Sequence, residues 1–105
     1  MKSINDINEF YELTDQPKPI LLDFYADWCG PCQTLMPTVE KISHEFQDDI
    51  EVRKVNVDQN RELAAKFGVK SIPSLFFLKG DEILDRTVGL VTANTLIEKV
   101  NNMIS

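Results

Sequence analysis

The chain has 105 residues, 43% of them hydrophobic and 27% charged, with a formal net charge of -6. That length suits a single domain over residues 1–105, with one core and no need of staples. No apolar run approaches a membrane span, residues 1–10 lack the basic-then-apolar layout of a signal peptide, and the eleven basic residues are too scattered to replace phosphate counterions; the expectation is a cytoplasmic protein that engages neither membrane nor nucleic acid.

In chain order, residues 1–4 read as a short edge strand. A helix starts near Asp6, with Glu9 three residues on in capping-box spacing. Ile7, Phe10 and Tyr11 mark its inner face, and Gln16-Pro17-Lys18-Pro19 breaks it. Ile20–Tyr25 is a run of large apolar side chains interrupted by one carboxylate, Asp23, which reads as a buried strand. A helix is predicted over 31–46, with Leu35, Val39, Ile42 and Phe46 along one face and Pro37 either kinking or splitting it.

Residues 50–57 form a strand with apolar side chains on both faces, and 61–67 a short helix closed by Gly68. Ser74–Lys79 and Glu82–Val88 read as two strands of a hairpin joined by Gly80-Asp81. Thr92 caps a last helix whose Leu96, Ile97, Val100 and Ile104 make a core-facing stripe. Strands alternating with helices imply an α/β fold with parallel pairs, helices on both faces, and the hairpin as an antiparallel edge.

Both cysteines lie in Trp28-Cys29-Gly30-Pro31-Cys32, where the strand pattern gives way to the helix. The first turn of a helix has unpaired N–H groups and the positive end of the dipole, so a thiolate at Cys29 is favoured there and Cys29 is the expected nucleophile. Pro31 has no N–H to offer and needs none in that turn, while Gly30 allows close approach of another chain. Cys32 shares a helix face with Cys29, within disulfide range and more sheltered. As a structural staple the pair would close too short a loop to constrain the unfolded chain. As half of a zinc site it lacks partners, because His44 is the only histidine.

Asp23, Trp28 through Cys32, Lys54, Ile72-Pro73 and Gly89, in this order and spacing, resemble the thioredoxin family over essentially the whole chain. The resemblance implies the thioredoxin fold, a central five-stranded mixed sheet flanked by four helices. It implies reduction of protein disulfides by dithiol exchange, with Cys29 attacking and Cys32 resolving. Re-reduction falls to a thioredoxin reductase, so NADPH acts only indirectly; the chain itself needs no cofactor and no metal, and works as a monomer on disulfide-containing proteins.

Asp23 matches the family's buried carboxylate, here read as acceptor of the Cys32 proton, and Lys54 its neighbouring lysine. Ile72-Pro73 matches the cis-proline loop, whose backbone would pair with an extended substrate segment. Trp28, Gly30, Pro31, Gly89 and Leu90 complete a shallow apolar platform around it. The sequence departs from the family at Gln33, where lysine is common, at Tyr25, where many members have tryptophan, and at Ser74, where threonine is frequent. Gly-Pro between the cysteines argues for a reductase over an oxidase or isomerase. A binding module that uses the fold as a scaffold, with both cysteines dispensable, is the other class to separate.

Overall fold

In the computed structural model, which describes all 105 residues, the chain forms β1 (Lys2–Ser3), α1 (Ile7–Thr14), β2 (Ile20–Tyr25), α2 (Gly30–Glu45), β3 (Glu51–Asn56), α3 (Arg61–Lys66), β4 (Ser74–Lys79), β5 (Glu82–Val88) and α4 (Ala93–Ile104). The strands make one five-stranded sheet in the order β1-β3-β2-β4-β5. β3 runs parallel to β1 and β2, while β4 is antiparallel to β2 and to β5. The mixed sheet and four helices agree with the sequence reading.

β2 is central because its side chains need covering on both faces. Ile20 to Phe24 are all buried, and successive side chains alternate across the sheet. Leu21 packs with Leu35, Val39 and Ile42 of α2 and Leu96, Val100 and Met103 of α4. Ile20, Leu22 and Phe24 pack with Phe10 and Leu13 of α1 and Leu63 of α3. Period-two alternation therefore puts Asp23 on the same face as Leu21, beneath α2 and α4.

The helix signals hold in detail. Asp6 accepts the Glu9 N–H at 3.0 Å, while the Glu9 carboxylate accepts the Asn5 N–H at 2.7 Å, a capping box displaced by one residue. The Thr92 hydroxyl accepts the Thr95 N–H at 3.1 Å. Gly68, at φ +63°, ends α3 by donating to the Ala65 carbonyl at 3.0 Å. Such a left-handed residue after a helix favours glycine. α2 runs through Pro37 as one helix, so the split does not occur; only the Gln33 carbonyl loses its usual helical donor.

Two inner-face assignments are corrected. Tyr11 is 47% exposed and Leu13 is buried instead. Phe10 and Leu13 lie three apart on one face, whereas Tyr11 is turned about 100° from Phe10, toward the Lys66 ammonium at 5.6 Å from its ring centre. Ile104 is likewise exposed, and Met103 completes the stripe with Leu96 and Val100, at spacings of four and three. A register shift at Phe77/Leu78 leaves Leu84 unpaired opposite β4, which the hairpin signal did not foretell.

Lys99 of α4 ties to β5 through Asp85, Nζ to Oδ2 at 2.6 Å. The hydrogen bond from Lys99 holds the Asp85 carboxyl below its ordinary range. A carboxylate whose folded pKa is depressed stabilises above its unfolded pKa and loses that contribution as pH falls through the folded value. The Asp85 side chain is 43% exposed, so solvent screens the pair. Lys99→Ala is expected to cost at most about 1 kcal/mol near pH 7, and less in strong acid, by chemical denaturation.

Candidate active site

Cys29 is the N-cap residue of α2, with extended backbone (φ -88°, ψ 108°), and Pro31 follows in the first turn. Its sulfur takes the part usually played by a serine or aspartate oxygen: the Cys32 N–H donates to Cys29 Sγ at 3.2 Å. Cys29 and Cys32 are joined as a disulfide with their Cα atoms 5.3 Å apart. On reduction, the same N–H and the helix dipole favour negative charge on Cys29.

The order of shelter is as expected, but both sulfurs lie deeper than the sequence suggests. Cys29 is 5% exposed and Cys32 1%. They form a small cluster with buried Ala26, closed by Tyr25, Val57 and Ile72. The Cys29 sulfur lies 3.8 Å from the Ile72 carbonyl oxygen, so the chain beside it, rather than water, covers it. Gln33 donates to the Ala26 carbonyl at 3.4 Å, tying the first turn of α2 to the preceding loop.

Asp23 sits in the central strand, paired in register with Lys54 on β3 and Leu75 on β4. It is 1% exposed, and neither carboxylate oxygen has a hydrogen-bond partner. Burial pushes its pKa from the ordinary 3.8 up to about 7, against a smaller downward pull from the Lys54 charge. Lys54 makes no ion pair with it; the ammonium stands 5.9 Å from the Tyr25 ring centre.

The Ile72-Pro73 peptide is cis. The Gly89 N–H donates to the Pro73 carbonyl at 2.8 Å, with Gly89 at φ +81°, a conformation that disfavours any side chain. Gly30 and Pro31 are exposed and Ile72 and Gly89 half-buried, whereas Pro73, expected on the same platform, is buried. Trp28 and Leu90 are 72% and 58% exposed. The surroundings of the cysteines are therefore an open apolar surface. Cavities of about 410 and 460 Å³ occur along β1 and β3, and no cysteine lines either. No three His, Cys, Asp or Glu side chains are grouped to hold a metal ion.

One neighbour was underread in the sequence. Asp58, just after β3, accepts the Trp28 indole N–H at 2.8 Å. The Asn56-Val57-Asp58-Gln59-Asn60 run was the available signal, since amide and carboxylate side chains at that density build turns by bonding to nearby backbone.

The family model for thioredoxin matches residues 2–102. A thioredoxin of Rickettsia bellii is 42% identical over 93 residues, 89% of each chain. One of Pyropia yezoensis is 37% identical over 105 residues, covering 100% of this chain and 98% of its own. Among solved structures, Fasciola hepatica thioredoxin superposes with a TM-score of 0.90 at 33% identity, covering 98% of this chain and 99% of that one. Malassezia sympodialis thioredoxin (Mala s 13) gives 0.92 at 29% identity, covering 100% and 91%. With a matching fold, a cysteine pair at the N-terminus of α2 and relatives along its whole length, the chain belongs to the thioredoxin family of protein-disulfide oxidoreductases.

Proposed function

We propose that this chain reduces protein disulfides, with Cys29 as nucleophile, Cys32 as resolving thiol and Asp23 as proton acceptor. The observation that carries the assignment is the Cys29 sulfur standing as helix N-cap, bonded to Cys32 and receiving its N–H at 3.2 Å. In the reduced protein the Cys29 thiolate attacks one sulfur of a substrate disulfide. A mixed disulfide forms and the other substrate sulfur leaves as thiolate. Cys32 gives its proton to Asp23, directly or through water, and attacks the Cys29 sulfur, which closes the Cys29–Cys32 bond and releases the second substrate thiolate. Two electrons have passed to the substrate, and the second step is fast because it is intramolecular.

Asp23 suits the proton step because burial brings its pKa to about 7, where it takes and returns a proton near neutrality. Lys54 limits that rise from the neighbouring strand. The surface of Trp28, Gly30, Pro31, Gly89 and Leu90 binds an extended segment of the substrate by apolar contact, and Ile72 pairs with it by its backbone, with the buried Pro73 beneath. A thioredoxin reductase fed by NADPH restores the dithiol. Residues 1–105 act as one domain, as a monomer, in the cytoplasm.

The test is NADPH oxidation with a thioredoxin reductase and insulin as disulfide acceptor, with Cys29→Ser and Cys32→Ser run beside the wild type. The wild type turns over and both variants do not. Full turnover by either single variant contradicts a two-thiol mechanism, and a cell phenotype that survives both would point to a scaffold role.

A further inference from the structure

Tyr25 is half-buried and follows Asp23 by two residues in β2, so both side chains leave the same face of the sheet. Lys54, half-buried on β3, is the in-register partner of Asp23, and neighbouring strands lie about 5 Å apart, well within a lysine's reach. An ammonium so placed beside a carboxylate without partners would ordinarily form an ion pair. Here it does not. The Lys54 Nζ stands over the Tyr25 ring, 5.9 Å from its centre, while both oxygens of Asp23 are buried without a partner. The same ring packs against the cluster of Ala26, Cys29 and Cys32, which fixes it in place.

No other charge competes for the carboxylate. β4 presents Leu75 beside Asp23, and α2 and α4 cover that face with Leu35, Val39, Leu96 and Val100; α2 adds Cys32, the proton donor of the exchange. The charge that acts on Asp23 is Lys54, so where its ammonium rests decides whether the carboxylate is paired. We propose that Tyr25 is a positioning residue for the exchange: its ring holds the Lys54 ammonium off Asp23, which leaves the carboxylate unpaired and able to take the Cys32 proton. This rests on the reductase reading above, and Tyr25 itself takes no proton but acts through Lys54.

An NMR titration of the Asp23 carboxyl carbon in the oxidised protein tests this without any substrate. The wild-type midpoint is about 7. In Tyr25→Leu the ring is gone, Lys54 turns to the carboxylate and the midpoint falls by about one pH unit. Tyr25→Phe, which keeps the ring, stays near the wild type. Lys54→Met raises the midpoint, and adding Tyr25→Leu to it changes nothing further, because the ring acts only through the ammonium. The pH profile of insulin reduction moves down in Tyr25→Leu, and the rate at pH 8 falls about threefold as Asp23 becomes a weaker base. An unchanged midpoint in Tyr25→Leu overturns the proposal. So does a fall that persists beside Lys54→Met, which marks lost burial rather than a released ammonium, and so does a pH profile that stays put while the midpoint moves. A wild type inactive on insulin refutes the reductase reading instead, and the titration alone then decides where Lys54 rests.

Discussion

Asp23→Asn is expected to stabilise the protein at pH 8 by about 2–4 kcal/mol and to do far less at pH 4. The carboxyl titrates near 3.8 in the unfolded chain and at about 7 in the fold. Between those values the folded state binds more protons than the unfolded one, so wild-type stability falls as pH rises through that window. Below it the carboxyl is neutral in both states and nothing is lost; above it the full cost of a buried charge, about 4 kcal/mol, is present. Asparagine removes the charge but leaves a buried amide, whose desolvation keeps the gain below that ceiling. Urea unfolding across pH 4 to 8 measures the difference. A gap between variant and wild type that does not widen with pH contradicts an ionisable, unpaired Asp23.

The same substitution is expected to slow insulin reduction by about tenfold or more, because asparagine cannot take a proton from Cys32. The combination of a more stable and slower protein separates a functional carboxylate from a merely tolerated one. Stability alone would favour an apolar residue in a strand whose neighbours are Leu22 and Phe24, both fully buried.

Much of this was legible in the chain itself, for identifiable reasons. β2 could be read because its apolar run is uninterrupted except at Asp23, and that interruption marked the one costly residue. The start of α2 was fixed by the change from strand to helix period around the cysteines, and Asp6, Thr92 and Gly68 marked ends because their chemistry is local. Legibility failed where the answer depended on partners distant in sequence. Tyr11 and Leu13 have similar claims on an inner face until the β2–β4 surface chooses Leu13. The depth of Cys29 depends on Ile72 and Val57, from two other segments. The bond between Trp28 and Asp58 joins the loop before α2 to the turn after β3, and no periodicity in either segment announces it. The resemblance to thioredoxins supplied the role of Ile72-Pro73, which composition and spacing alone leave open.

The second large effect concerns the cysteines separately. With Cys32 replaced by serine, the first exchange still proceeds, since the attacking sulfur and the helix end that favours its thiolate are intact. The intramolecular release is gone, and well-oriented intramolecular groups act at effective concentrations of about 10⁵ M or more. Turnover should therefore fall by about a thousandfold or more, with the enzyme held as a mixed disulfide. Cys29→Ser should lose turnover without accumulating such a species, because Cys32 lies deeper than Cys29, 1% against 5% exposed, and lacks the N-cap position that favours a thiolate. Mass spectrometry of reduced Cys32→Ser and Cys29→Ser, each mixed with a disulfide-bonded protein and alkylated without reductant, tests the division of labour most directly. An adduct through Cys29 is expected in the first variant and none in the second; an adduct through Cys32 in the Cys29→Ser protein, or sustained turnover by Cys32→Ser, would contradict the assignment of Cys29 as nucleophile and Cys32 as resolving thiol.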